Sequence, residues 1–365
     1  MKVPFLDLQA QYLEIKSEVD PKLAKFLEAG SYIGGEYLKN FEENFSSFLG
    51  ANYCIGVANG LDALEISLKS LGIGKGDEVI VPSNTFIATW LAVSNCGAIP
   101  IPVEPKFSSY SIDPSKIESA ISKKTKAIIP VHLYGEPAEL DLILEIAKTN
   151  NLFVVEDAAQ AQGAFYKSKR IGSHGHLVAW SFYPGKNLGA FGDGGAVTTN
   201  SLELAKKIRK IGNYGSQKKY INDVIGRNSR LDPMQALILD IKLKKLDEWN
   251  DRRRKIAKKY LTELSDIDIN LPDGLNLHDG AWHLFPILVE NRDALKKYLD
   301  KNSIETLIHY PIPPHKQLAY ASRYSSFNLE IAEKLSSQLL SLPIGPQLEI
   351  NHVDCVIKTL KKYFK

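Results

Sequence analysis

The sequence predicts an α/β protein in which a large domain on a mostly parallel mixed sheet precedes a smaller C-terminal α+β domain. Three observations predict it: the length of the chain, an alternation of strand and helix patterns up to residue 200, and a change of pattern near residue 232. At 365 residues the chain exceeds the roughly 250–300 residues at which one core stops growing, so two domains are expected. From residue 53 to 200, short β-branched or apolar runs alternate with longer amphipathic segments, as in a sheet whose strands are joined by helical crossovers. The runs are YCIGVA, DEVIVP, AIPIPV, KAIIPVH, LFVVED, HLVAWSF and GAVTTN. Helices are expected between them at residues 62–71 and 139–148, each followed by a Gly or Asn stop signal.

Near Asp232 the pattern changes. Asp232 is an N-cap candidate and Pro233 suits the first helical position, so one long helix is expected to begin there. Leu239, Leu243, Leu246, Trp249, Ile256 and Tyr260 recur at helical spacing and give it an apolar face. Such a helix would join a large domain, residues 1–240, to a small one, residues 241–365. Beyond it, WHLFPILVE reads as a strand, residues 294–301 as a helix, residues 304–309 as another strand, and late helices follow. The basic run DRRRKIAKK at 251–259 reads as a solvated helix face rather than a polyanion site. No internal repeat or low-complexity segment stands out.

Composition excludes several classes of function. Lys plus Arg total 45 against 42 Asp plus Glu, a net charge of +3 spread along the chain, which gives no footprint for nucleic acid. Cys54, Cys96 and Cys355 are far apart and form no CxxC pair, so they are expected to be small buried thiols in a reducing compartment, with no metal site. The start MKVPFLDLQAQY lacks the apolar stretch of a signal peptide, and no later run approaches the ~18 apolar residues of a membrane span. The expectation is a soluble cytoplasmic chain.

Two segments carry the chemistry: VVEDAAQAQG (154–163) and SFYPGKNLGAFGDGG (181–195). Each closes an expected strand, and in open α/β sheets ligands bind at the carboxyl ends of strands. Asp157 follows an apolar run and precedes small residues, so it is a partly enclosed carboxylate in need of a cationic partner. Lys186 lies beside Gly185 and a Gly-rich stretch, where backbone and ligand approach closely and a flexible amine reaches inward. Taken singly, the carboxylate could cap a helix and the lysine could be a surface residue. Together they suit pyridoxal phosphate: a lysine forms a Schiff base with its aldehyde, and a carboxylate keeps its pyridine nitrogen protonated as an electron sink. In VANGLDALEIS, Asn59 and Gly60 stand between a strand and a helix, so the amides of Gly60 and Leu61 form an anion site. Ser181 adds a hydroxyl at the strand end before Lys186. Phe86, in VPSNTFIATW, suits either stacking on a cofactor ring or packing in the core.

These residues resemble the DegT-type sugar aminotransferases, and the resemblance runs through VPFLDL, SYIGGE, NGLDAL, VPSNTFIAT, VHLYGEP, VVEDAAQAQGA, SFYPGKNLGAFGDGGA, GRNSRLD and SLPIGP. It implies the fold type I aminotransferase architecture and a homodimer with active sites shared across the interface. By position, Lys186 resembles the Schiff-base lysine, Asp157 the pyridine-nitrogen partner, Gln160 the donor to the phenolic oxygen and Phe86 the stacking ring. Gly60, Leu61 and Ser181 look like the phosphate cup, and Asn228 like the residue a neighbouring subunit adds to it. The family often has Thr where this chain has Leu61, so one hydroxyl contact is lost there. The segments NYGSQKKY, HYPIPPH and SFYPGKNLG look most like the subgroup that aminates C3 of dTDP-3-keto-6-deoxyhexoses. Tyr183, Lys219, Tyr220, His309 and Tyr310 are then the expected substrate contacts, offering charge, phenol and imidazole groups. The resemblance implies a ping-pong reaction with L-glutamate as amino donor and Lys186 shuttling a proton.

Other readings are weaker. A 4-keto-sugar aminotransferase is the nearest rival. In the resembling dehydrases that keep no Schiff-base lysine that position is histidine, and a sensor on this fold is expected to have lost Lys186, Asp157 or the phosphate cup. GIGKGD departs from the dinucleotide pattern, and WSFYPGKN has Trp180 and Asn187 where a P-loop needs Gly and Ser or Thr.

Overall fold

A computed structural model describes residues 1–273 and 277–365. Twelve α-helices and thirteen strands are found among the described residues. The strands are β1 (Tyr53–Val57), β2 (Glu78–Pro82), β3 (Ile99–Val103), β4 (Thr125–Ile128), β5 (Phe153–Asp157), β6 (Phe165–Tyr166), β7 (Lys169–Arg170), β8 (Leu177–Ser181), β9 (Gly195–Thr199), β10 (Ser216–Lys218), β11 (Ile221–Asn222), β12 (Phe285–Leu288) and β13 (Leu339–Leu342). The helices are α1 (Leu8–Ala29), α2 (Glu36–Leu49), α3 (Gly60–Ser70), α4 (Ile87–Asn95), α5 (Leu140–Thr149), α6 (Leu202–Gly212), α7 (Pro233–Leu243), α8 (Leu246–Glu263), α9 (Arg292–Lys301), α10 (Leu318–Tyr324), α11 (Glu330–Gln338) and α12 (Ile350–Tyr363).

All seven strand runs read between residues 53 and 200 join one sheet in the order β1-β9-β8-β5-β4-β2-β3. Six strands share one direction, and β9 alone pairs antiparallel to both of its neighbours. The α/β class and its mostly parallel sheet are therefore as the sequence implies. Alternation along the strands feeds two faces. Val79, Val81, Val155, Ala179 and Val197 pack with residues of α3, α4 and α6 on one side. Ile80, Ile128 and Val154 meet α5, while Val178, Trp180 and Ala196 meet α2 and α7 on the other side. Because both faces are covered, the strand residues are almost uniformly buried, which is why the runs read as continuous apolar stretches.

A separate apolar cluster gathers Ile256, Tyr260, Phe285, Ile287, Leu295, Leu340, Val356 and Leu360, together with Val3 from the start of the chain. Four details depart from the sequence reading. The helix expected from Asp232 is two helices: α7 stops at Leu243, a tight Lys245 N–H to Lys242 C=O bond closes it, and α8 restarts with Asp247 and Glu248 in its first turn. Acidic side chains favour such a new N-terminus, whereas Asp232 makes no side-chain cap bond. Residues 304–309 form only isolated bridges, Ile304 with Val3 and Leu307 with Ser341, because two different partners divide the run between them. The run at 251–259 is not wholly solvated. Arg253 lies on the face of α8 shared with Trp249 and Ile256, is buried, and donates to the carbonyls of Trp282, His283 and Ile344. Of the cysteines, Cys54 is buried while Cys96 and Cys355 are partly exposed.

Candidate active site

The parallel strands bring their carboxyl ends to one edge of the sheet, and the turns that follow them carry the predicted residues. Asn59 leaves β1 and caps α3, its side chain accepting from Asp62 N–H at 2.8 Å. That fixes the first turn of α3 with its free amides pointing outward. A Cβ on Gly60 would lie 2.7 Å from Ser181 Cβ, so the β1–α3 turn and the end of β8 touch only because residue 60 has no side chain. Gly60, Leu61 and Ser181 are thus brought together as the sequence expects.

Asp157 ends β5 and is buried. Its Oδ2 accepts from Thr89 Oγ1 at 2.9 Å and its Oδ1 from Ala159 N–H at 3.2 Å. Burial pushes the Asp157 carboxyl up from the usual range, while the Thr89 hydroxyl, the Ala159 amide and the charges of Lys186 and His132 pull it back. Lys186 lies in the turn after β8, its backbone N–H bonded to Tyr183 C=O at 2.8 Å. Burial lowers its amine to about 8, with the Asp157 charge opposing. Lys186 and Asp157 follow the adjacent strands β8 and β5, near enough for each charge to act on the other.

Gln160 is buried between two loops: its Oε1 accepts from Tyr134 N–H at 2.6 Å and its Nε2 donates to Tyr310 Oη at 2.9 Å. Tyr134 Oη in turn donates to His309 C=O at 2.6 Å, so residues 309–310 are stitched over the strand ends. Phe86 is 51% exposed and its ring lies 5.2 Å from that of Tyr310. It is therefore an open ring beside Tyr310 rather than a core residue. His309 bonds Ser341 Oγ through Nδ1 at 2.9 Å, and burial together with the Lys186 charge lowers it to about 4. It is therefore a neutral imidazole at physiological pH. Burial pushes the Tyr310 phenol above its ordinary range.

Other predicted residues stand apart within one chain. Tyr183 is exposed beside the lysine turn. Lys219 and Tyr220 occupy the exposed tip of the β10–β11 hairpin, with Tyr220 87% exposed. Asn228 is exposed, pairs through its backbone with Asn213, and makes no side-chain bond to Gly60, Leu61 or Ser181 among the described residues.

Sequence reading missed several groups. Thr89 positions the Asp157 carboxylate; the signal was Thr85 and Thr89, four apart at the start of a helix after a strand end, whose hydroxyls lie 3.0 Å apart. From the opposite face of β5 comes a fully buried pair in which His132 Nε2 donates to Glu156 Oε2 at 3.0 Å, the Nδ1 accepting from Ala138 N–H at 3.1 Å. Among the described residues no His, Cys, Asp and Glu cluster suits a metal ion.

A doubly covered, mostly parallel sheet with a lysine and a carboxylate near its carboxyl edge is the frame of an α/β enzyme, and its relatives make the class that of the aminotransferases. The chain belongs to the DegT/DnrJ/EryC1/StrS aminotransferase family, which residues 13–361 match. It is 51% identical to the Erythromycin biosynthesis sensory transduction protein EryC1 of Saccharopolyspora erythraea, with 99% of each chain covered. It is 50% identical to the dTDP-3-amino-3,6-dideoxy-alpha-D-galactopyranose transaminase of Aneurinibacillus thermoaerophilus, again over 99% of each. Its fold superposes with a TM-score of 0.98 on S. venezuelae DesV in complex with a ketimine intermediate, at 48% identity over 100% of this chain and 99% of that one.

Proposed function

We propose that this chain is a pyridoxal-phosphate-dependent aminotransferase that converts a dTDP-3-keto-6-deoxyhexose to the 3-amino-3,6-dideoxyhexose, with L-glutamate as donor. The observation that carries the reading is the convergence of the Lys186 amine and the Asp157 carboxylate at neighbouring strand ends, with Gln160 beside them. The 3-amino-sugar transaminase of A. thermoaerophilus, similar over almost its whole length, supports the choice of sugar and carbon. The name of the S. erythraea relative speaks for sensing, but a protein that only senses has no need of the lysine and carboxylate retained here.

The residues fit the cofactor. The side-chain-free contact of Gly60 with Ser181 leaves amides and a hydroxyl at a helix N-terminus, which suits a phosphate. Asp157 has one hydrogen bond on each oxygen and keeps lone pairs for a pyridinium N–H. Gln160 Nε2 has a second N–H beyond the one given to Tyr310, and Phe86 offers an open ring face.

When bound, pyridoxal phosphate supplies an aldehyde for amines and a ring that accepts electrons. Asp157 holds the negative charge that keeps the ring nitrogen protonated, and Thr89 keeps that carboxylate aimed. Lys186 Nζ takes and returns the proton that moves during transamination; an ordinary lysine, at about 10.4, is too basic for this, and burial brings the value toward working pH. His309 and Tyr310 close over the strand ends and meet the sugar, and Tyr183 borders the entrance. Lys219 and Tyr220, projecting from the β10–β11 hairpin, reach the substrate of a second subunit, as Asn228 reaches its phosphate cup, so the working form is a homodimer. The same reading divides the chain into a cofactor-binding part, 1–240, and a small part, 241–365, and places the enzyme in the cytoplasm. No described helix is long and apolar enough to cross a membrane.

The test is mass spectrometry of products after incubating the loaded enzyme with L-glutamate and a panel of 3-keto and 4-keto nucleotide sugars. An amino sugar formed from the dTDP-linked 3-keto substrate, together with 2-oxoglutarate, is expected. Amination of 4-keto substrates alone would move the reaction to C4, and no amination of any substrate would end the enzyme reading.

A further inference from the structure

Behind the Lys186 turn lies a buried lysine that the proposed reaction does not use. Lys242, on α7, is 1% exposed. Its Nζ donates to Gly189 C=O at 2.6 Å and to Gln11 Oε1 at 2.8 Å, and it stands 4.7 Å from the Phe191 ring. Among the described residues no carboxylate pairs with it. An ammonium buried without a counter-charge costs folding free energy that hydrogen bonds to neutral acceptors offset only in part. Burial alone lowers Lys242 to about 7, so two neutral acceptors, not an ion pair, hold the amine in place.

Those acceptors sit at informative positions. Gly189 is three residues after Lys186, at the close of a tight turn: a Cβ there would lie 2.3 Å from Pro184 C=O. The turn has other fastenings. Phe191 N–H donates to Gln235 Oε1, also on α7, at 2.8 Å. Asn187 Nδ2 donates to Asn250 Oδ1 on α8 at 2.9 Å and to Ala281 C=O at 2.7 Å. Gln11 belongs to α1, which packs along α7. The backbone after Lys186 is thus held by α7, α8 and Ala281, and the Asp157 charge acts on its amine.

We propose that Lys242 is a positioning residue for Lys186: through Gly189 it fixes the turn that aims the Lys186 amine at the strand ends, and through Gln11 it ties that turn to helix α1. The inference rests on the reading of Lys186 as the cofactor lysine. Without the Lys242 bonds the turn loosens, water reaches the Lys186 amine, and the amine regains basicity.

The experiment compares wild type with Lys242→Met in the full chain freed of cofactor. Competitive acetylation with acetic anhydride across a pH series, read by peptide mass spectrometry, gives the titration midpoint of Lys186. The midpoint is expected to rise by about one unit or more in the variant, toward the ordinary lysine value. In the loaded enzyme, kcat is expected to fall about tenfold or more, with KM for the keto sugar changed far less. Circular dichroism and thermal unfolding establish that the variant is folded; if it is not, Lys242→Gln, which is polar but too short for both acceptors, replaces it. A folded variant whose Lys186 midpoint does not move overturns the proposal whatever its activity. Failure of both variants to fold assigns Lys242 to the core and overturns it as well. Borohydride reduction of wild-type holoenzyme and peptide mapping test the underlying reading separately: attachment at another lysine removes Lys186 from that role without altering the acetylation result.

Discussion

Replacing Lys186 with alanine separates its chemistry from its packing, because the side chain lies in a turn and its Nζ makes no hydrogen bond among the described residues, its backbone N–H serving the turn instead. Lys186→Ala is expected to stay folded and to lose the visible absorbance of lysine-bound cofactor; unchanged absorbance would move the attachment elsewhere. Asp157→Asn is expected to retain cofactor but lose most turnover, roughly 100-fold or more, since an amide cannot hold the ring nitrogen protonated. Steady-state rates at saturating cofactor check it, and near-native turnover would shift the partner role to another group. Both residues were legible as a pair: Asp157 ends an apolar run, Lys186 stands in a Gly-rich turn after another, and together they suit one chemistry although either alone has an ordinary use. Thr89 was not, since a hydroxyl in a helix has many ordinary uses, and only the folded chain shows it 2.9 Å from Asp157. The same holds for Lys242, which sits within an apolar helical pattern and reads as a surface residue until its two acceptors, far away in sequence, are in place.

At the scale of elements, the seven central strands were readable because burial on both faces writes itself as unbroken apolar runs. The end segments were harder. Helix α10 contains no long periodic stretch, yet Tyr320 and Tyr324 join the cluster of the large sheet, stacking edge-on to Trp90 with ring centroids 5.3 and 5.0 Å away. Tyr324 Oη also donates to Pro100 C=O at 2.6 Å. Such docking depends on partners more than 200 residues apart and leaves no local signature. It gives α10 a definite energetic weight. Trp90→Ala is expected to destabilise the protein by about 3–5 kcal/mol, as for a fully buried large aromatic, whereas Tyr324→Phe, which removes only a hydroxyl, should cost about 1 kcal/mol. Denaturant titrations of the two variants check the ranking, and equal small losses would mean that α10 is only loosely seated.

At the scale of the whole molecule, one chain supplies Lys186, Asp157, Gln160 and the Gly60–Ser181 contact, but leaves Asn228 exposed and the β10–β11 hairpin projecting. Apolar side chains crowd the same segment, with Ile225 99% exposed and Tyr214, Ile221 and Val224 also open, an arrangement that a second subunit would cover. If Asn228 serves the neighbour's phosphate cup, Asn228→Asp places a carboxylate beside that phosphate and should weaken cofactor retention through repulsion across the interface. A pairing experiment separates this from a local effect. In a heterodimer of Asn228→Asp with Lys186→Ala, one site combines the intact Lys186 of the first chain with the intact Asn228 of the second, while the complementary site carries both lesions. Coexpression of the two differently tagged chains, followed by tandem purification, is expected to give activity well above that of the Asn228→Asp homodimer, approaching half the wild-type value per dimer because one of two sites is whole. Verified heterodimers that show no such recovery would mean either that the sites are not shared through Asn228 or that each subunit must be intact for the other to turn over, and the dimer reading built on this residue would fall.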